Sequence, residues 1–230
     1  IKQYAMKTKF LLSLCLLGLG LGNGLAVNDY DTAFSCRFSP DTENPWDDQD
    51  WSTMNSTWEI IDANGDGNTW TFNRGTGSSD NDADANPFGG WVQYKYHSAN
   101  KANDYLVTRH PINLTRQITV LNFSYKTLYG ESFSESFAIL FGETPIPTQM
   151  DTVYYQPHVG TSKAWHTDTI SFSIEQAGDY YIAIHASSEP DRGTLYIDNI
   201  RILSSGEILE PAPDPEPEPT GKYPSLIISE

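Results

Sequence analysis

The stretch Tyr180-Tyr181-Ile182-Ala183-Ile184-His185 sets Tyr180, Ile182 and Ile184 at alternate positions, with Tyr181, Ala183 and His185 between them. Successive side chains of an extended strand point to opposite faces, so this spacing makes one apolar face and one mixed face. The same period recurs along the chain. Leu121, Phe123 and Tyr125 alternate with Asn122, Ser124 and Lys126; Phe137, Ile139 and Phe141 alternate with Ala138 and Leu140; Ile170, Phe172 and Ile174 alternate with Ser171 and Ser173. Gly, Pro, Asn and Asp punctuate these runs, and no stretch between residues 27 and 205 carries a helical period. Such patterning predicts an all-β domain, an antiparallel sandwich.

The last of these strands, Leu195 to Leu203, holds a carboxylate at an informative place. Tyr196, Asp198, Ile200 and Ile202 share one face by simple alternation. If that face is the core, Asp198 requires a cation or several hydrogen-bond donors beside it, because an unpaired buried charge is costly. If Leu195 and Ile197 point inward instead, Asp198 is solvated. Ile200 and Ile202, set against Asn199 and Arg201, favour the first register.

Earlier in the chain, Trp58-Glu59-Ile60-Ile61-Asp62-Ala63-Asn64-Gly65-Asp66-Gly67-Asn68-Thr69-Trp70 places two short apolar pieces around a loop with Asp62, Asn64 and Asp66 at alternate positions. Gly65 and Gly67 let the backbone turn there. Alternating oxygen side chains in a tight loop suit calcium, which takes several oxygen ligands in irregular geometry. An EF-hand is excluded: with Asp62 as first ligand the twelfth position is Asn73 rather than Glu, and the flanks read as strands. The other reading of the loop is an Asx-rich hairpin turn with no metal.

The 230-residue sequence has a formal charge of −16, which argues against nucleic acid or an anionic membrane surface as a partner. Residues 1–26 read as a signal peptide: Met6-Lys7-Thr8-Lys9 is a basic start preceded by five upstream residues, Phe10 to Leu21 is an apolar run too short to span a bilayer comfortably, and Gly24-Leu25-Ala26 supplies small residues for cleavage. The expectation is a secreted or cell-surface protein with no membrane insertion of the mature domain. Cys36 is then the one cysteine left, and a small buried hydrophobe is the more frequent role for such a residue.

The mature chain divides by composition. Residues 27–205 form the sandwich domain, with an acidic lead-in from Asp41 to Asp50 and a Gly/Ser/Asp/Asn tract from Gly75 to Asn86. Residues 206–222 are a Pro/acidic linker, extended by polyproline geometry and self-repulsion. Residues 223–230 resume strand composition, which reads as the start of a following domain, with this domain a monomeric module in a longer chain.

Catalytic chemistry finds little support. There is no Gly-x-Ser-x-Gly, no His-Glu-x-x-His and no phosphate-cradling Gly loop. His166 with Asp168 is the nearest approach to a cluster, and a hairpin flank explains it better. No catalytic residue is assigned. The aromatics exceed what one sandwich core readily hides, and Trp91, Tyr94 and Trp165 are candidate ligand-binding residues, since aromatic faces stack on sugars or anchor protein partners.

The ordered set Trp58-x-x-Ile61-Asp62-x-Asn64-Gly65-Asp66-Gly67-x-x-Trp70, Asp104-Tyr105-Leu106-Val107-Thr108-x-x-Pro111-Ile112-Asn113-Leu114, Tyr181-x-Ala183-x-His185 and Leu195-Tyr196-Ile197-Asp198-Asn199-Ile200 resembles the cleaved-adhesin or choice-of-anchor J type of domain of secreted and surface Bacteroidetes proteins. The resemblance covers Phe34 to Leu203. It implies a jelly-roll sandwich related in shape to MAM and carbohydrate-binding modules, with structural calcium held by Asp62, Asn64, Asp66 and Asp198 and no catalytic activity. Function is then expected to be adhesion or ligand binding, to a glycan or an extracellular host protein. An accessory role beside an extracellular hydrolase encoded beyond the linker is the other expectation.

Overall fold

The computed structural model describes residues 30–38, 54–73, 90–127, 131–160 and 164–211. The expected signal peptide, the Asp41–Asp50 run, the Gly75–Asn86 tract, most of the expected linker and the segment after it lie outside the described residues.

Twelve strands account for nearly all regular structure: β1 (Asp31–Cys36), β2 (Trp58–Asp62), β3 (Trp70–Asn73), β4 (Trp91–Lys95), β5 (Asp104–Thr108), β6 (Ile112–Leu114), β7 (Arg116–Thr127), β8 (Glu135–Gly142), β9 (Asp151–Val159), β10 (His166–Ser173), β11 (Gly178–Ala186) and β12 (Thr194–Ile208). One four-residue helical turn, Met54–Thr57, precedes β2. The strands form two antiparallel sheets. The first has the order β10-β7-β12-β4-β3 with β1 also on β12; the second has the order β2-β5-β11-β8-β9 with β6 also on β11. The fold is an antiparallel β-sandwich, as the alternation predicts, and of the jelly-roll type that the resemblance implies.

The core between the sheets is built from the apolar phase of each strand. Leu121, Phe123 and Tyr125 from the first sheet meet Phe137, Ile139, Phe141, Tyr180, Ile182 and Ile184 from the second, with Ile170 and Phe172 packed against them. Trp58 and Trp70, on either side of the Asp62 loop, are both fully buried. Burying side chains of this size is worth roughly 1.5–3 kcal/mol each, so the loop is pinned at both ends by the core. Cys36 is buried in the same cluster.

Alternation fails as a guide in β12. Leu195, Ile197, Ile200 and Ile202 all belong to the core cluster, which simple alternation forbids. The register on β7 shifts between Asp198 and Arg201, and Asn199 adopts φ 52°. One extra residue in a bulge flips the phase of everything after it. Asp198 therefore shares a face with Tyr196, away from the main core, and the expected common face of Tyr196, Asp198, Ile200 and Ile202 does not exist. The bulge falls where the edge of β12 passes from β4, paired at Thr194 to Ile197, to β1, paired at Ile200 to Ser204. A kink between two successive partners is what such a handover requires. Although it lies on the outer side, Asp198 is fully buried, and its Oδ1 accepts the Asn199 N–H at 2.6 Å.

Candidate functional site

The Asp62 loop closes as a carboxylate-capped turn. Asp62 Oδ1 accepts the N–H groups of Gly65 (2.7 Å) and Asp66 (3.2 Å), and its Oδ2 accepts the N–H of Gly67 (2.8 Å). Gly65 and Gly67 sit at φ 69° and 79°, the left-handed region where a side chain is strained. Asp66 Oδ1 accepts the Asn68 N–H at 2.8 Å, and Asn64 Nδ2 donates to the Lys101 carbonyl at 2.9 Å. Burial opposes ionisation of Asp66, yet the Asn68 N–H, Asn100, His97 and Asn64 together hold its carboxyl below the ordinary range.

Strand pairing adds a third carboxylate that the sequence reading did not assign. Asp62 on β2 pairs directly with Asp104 on β5, so both side chains face the inter-sheet side at the rim. Asp104 is fully buried. Its Oδ2 accepts the Tyr94 hydroxyl at 2.8 Å and the Asn103 N–H at 3.2 Å, while its Oδ1 has no hydrogen-bond partner. Burial pushes the Asp104 carboxyl up; the Tyr94 and Asn103 bonds work against that, and the charges of Asp62 and Asp66 add to it. The Tyr94 phenol is pushed up in turn by burial and by Asp104.

The chemistry of this corner fits a hard cation in one respect: a buried carboxylate oxygen lacks a partner beside two further acids. Among the described residues, no three acidic, imidazole or thiolate groups form a ready metal cage, because Asp62 is turned onto its own loop amides. Asp198 does not join them. The loop abuts the Tyr94 and Lys95 end of β4, where Asn68 Nδ2 donates to the Lys95 carbonyl at 2.8 Å. Leu195 pairs with Tyr94, so Asp198 lies three residues further along β12, roughly 10 Å at the strand rise, and on the outer face. A shared ion spanning Asp62, Asn64, Asp66 and Asp198 is not what this geometry assembles.

The three aromatic candidates part company. Tyr94 is core, hydrogen-bonded to Asp104 and edge-on to Trp70 at 5.5 Å, so it cannot meet a ligand. Trp91 and Trp165 share the outer face of the first sheet. Trp91 lies edge-on to Tyr196 at 6.1 Å, and the Lys126 ammonium lies 5.5 Å from the Tyr196 ring and 5.0 Å from the Trp165 ring.

A different aromatic array lies on the outer face of the second sheet. Ile61 pairs with Tyr105, Tyr105 with His185, His185 with Ala138, and Ala138 with Tyr155. One row thus crosses β2, β5, β11, β8 and β9, five of the six strands of this sheet, with every side chain on one face. The Tyr105 and His185 rings stack at 4.2 Å and 9°, and Tyr155 is 58% exposed. Burial, with Lys101 adding to it, lowers the His185 pKa to about 4, leaving the ring neutral at physiological pH. Its Nε2 lies 3.0 Å from Asn103 Oδ1. Between His185 and Tyr155 in the row stands Ala138, which is itself buried, and the Lys101 ammonium lies near enough to interact with both flanking side chains. The sequence alternation marks Ala138 and His185 as the non-core phase of two of these strands, but not which residues line up across the sheet.

Comparison with solved structures places the fold. The K3 cleaved adhesin domain of Lys-gingipain (Kgp) from Porphyromonas gingivalis W83 aligns with a TM-score of 0.53 at 18% identity, over 76% of this chain and 99% of that domain. The K1 cleaved adhesin domain of Lys-gingipain aligns with a TM-score of 0.49 at 18% identity, over 65% of this chain and 91% of that one. The CBM22-1 xylan-binding domain from Paenibacillus barcinonensis Xyn10C gives 0.47 at 12% identity, over 79% and 100%. No protein-family model and no curated protein sequence matches the chain. The domain has the cleaved-adhesin type of fold, as the ordered motifs suggest.

Proposed function

We propose that this chain is a non-catalytic, calcium-stabilised binding module of an exported multidomain protein, acting at the cell surface or outside the cell, and that its ligand is a glycan. The observation that carries the binding reading is the row Ile61, Tyr105, His185, Ala138 and Tyr155, which sets the stacked Tyr105–His185 pair, with its neutral imidazole, and the exposed Tyr155 phenol on one outer face. Aromatic faces present flat apolar area with little conformational entropy to lose, and the C–H faces of a pyranose ring complement them. Asn103 and the Lys101–Glu189 ion pair, 2.7 Å apart, supply polar groups beside it. The adhesin and xylan-binding domains that share the fold make binding a natural use of it.

Calcium enters this reading through Asp104, whose Oδ1 has no hydrogen-bond partner and whose carboxyl feels the charges of Asp62 and Asp66. Asp104 and Asp66 would hold the ion, and Asp62 would join them only by giving up its loop amides. When bound, it would neutralise charge in a corner that has three acids.

A glycan array probed with the secreted domain tests the binding reading. Retention on a defined set of neutral oligosaccharides is expected, reduced at least tenfold by Tyr155→Ala, with the melting temperature little changed because that side chain is exposed, and by Tyr105→Ala, which removes the ring stacked on His185. Retention unaffected by both substitutions would remove the site from this face.

A further inference from the structure

We propose that a second cleft, at the end of the sandwich away from the Asp62 loop, receives a cationic side chain, a lysine or arginine presented by an extracellular protein. The cleft has a volume of ≈ 640 Å³ and is bounded by the β8–β9 connection, the end of β10 and the turn that follows it. Phe141, Phe172 and Tyr180 line it. Phe141 stacks on Tyr180 at 4.9 Å and 14°, and meets Phe172 edge-on at 4.8 Å. Glu143, Asp151 and Glu175 line the same cleft, all three exposed, and no Lys, Arg or His is among its lining residues. Among the described residues none of these three carboxylates takes part in a salt bridge.

Chemistry narrows the occupant. Three carboxylates from separate segments surround one cavity without a counter-charge, so an anion is repelled and a neutral guest leaves them uncompensated. Burial raises the Tyr180 phenol, and Glu143 and Glu175 add to the rise, which places both charges within reach of that ring. Tyr180 already donates its hydroxyl to the Gln176 carbonyl at 2.8 Å, and its ring is buried against Phe141, so the part-buried Phe172 is the ring of this cluster that a guest can meet. The cavity is many times the ≈ 30 Å³ share of a single water, too roomy for a bare ion, and its aromatic lining calls for an apolar body. A lysine or arginine combines an aliphatic stem with a terminal cation, matching rings below and acids above. Arginine fits the acids better, since its planar fork can engage two carboxylates at once.

This site goes beyond the proposed glycan face and stands on different residues, so the two fail separately. NMR titration of the intact domain with the peptides Gly-Arg-Gly, Gly-Lys-Gly and Gly-norleucine-Gly tests it. The two cationic peptides are expected to shift the signals of Phe141, Phe172 and Tyr180, with arginine the tighter and binding at least fivefold weaker at 1 M salt. Glu143→Gln, Asp151→Asn and Glu175→Gln combined should weaken arginine binding at least tenfold while Tyr155→Ala leaves it unchanged. Equal shifts from the norleucine peptide, arginine binding retained by the triple variant, or displacement of the same signals by a neutral oligosaccharide instead would overturn the proposal.

Discussion

Two acidic corners lie at opposite ends of β11. At one, Asp104 pairs with Ala186 and stands fully buried beside Asp62 and Asp66; at the other, Glu143, Asp151 and Glu175 ring an open cleft floored by Tyr180. Both combine carboxylates with aromatic rings, yet they obey different physics. Removed from water, Asp104 needs the Tyr94 hydroxyl and the Asn103 N–H to be tolerated, and its remaining oxygen creates a demand that folding has not met. The three exposed acids are hydrated and cost the fold little, so their charge remains available to a partner. Burial decides whether a carboxylate is an internal obligation or an external lure.

Substitution separates the two most sharply. Asp104→Ala leaves the Tyr94 hydroxyl buried without its acceptor, at a cost of about 2–4 kcal/mol, which lowers the melting temperature by roughly 5–15 °C in a domain of this size. Calorimetry checks this. The triple substitution at the open cleft should stay within about 0.5 kcal/mol of the parent. If both variants melted alike, the contrast between the corners would be wrong.

Calcium is the next largest effect. At a hundredfold excess over its dissociation constant, an ion bound only by the folded chain adds about 2.7 kcal/mol, so the melting temperature should rise in calcium and fall in chelator. Asp66→Ala should remove most of that difference, and the triple substitution none of it. Identical melting of the parent with and without chelator would take the ion out of the Asp104 corner.

A third buried acid sharpens the rule. Glu135, at the start of β8, is fully buried and neither carboxyl oxygen completes a hydrogen bond. Burial raises its pKa to about 7, although Ser188, the Gly193 N–H and Arg192 lie near enough to ease the charge. A carboxyl whose folded pKa exceeds its unfolded value binds its proton more tightly when folded. Its contribution to stability is therefore greatest below the ordinary value of 4.5 and declines as pH rises toward 7. Glu135→Gln should then stabilise the domain at pH 8 by on the order of 2 kcal/mol, with the gain vanishing near pH 4. Denaturant melts at the two pH values decide it; an equal effect at both would mean the penalty is steric.

Much of the fold was legible because sheet formation is periodic. The core phase of the strands at 121–125, 137–141, 170–174 and 180–184 follows from alternation alone, since the inward face of a sandwich strand must be apolar. Alternation failed in β12, where Asn199 takes a positive φ without being glycine and the bulge resets the phase. No local signal marks that bulge; it answers to the change of neighbour from β4 to β1. The Trp91, Tyr94 and Trp165 assignment fared unevenly for a related reason. Whether an aromatic faces core or solvent depends on the phase of its strand, and Tyr94 falls on the inward phase, where its hydroxyl finds Asp104.

The order of residues by itself determined that this chain makes an antiparallel sandwich with an Asx-rich Gly loop between two short apolar pieces, because strand period and turn chemistry act over a few neighbouring positions. Tertiary structure alone decided which acids meet. Asp62 was brought to Asp104 rather than to Asp198 by the pairing of β2 with β5, and Tyr105, His185 and Tyr155 were aligned by registers spanning the whole second sheet. Cross-strand neighbours are set by global topology, and that information is held by the packed core rather than by any single stretch of sequence.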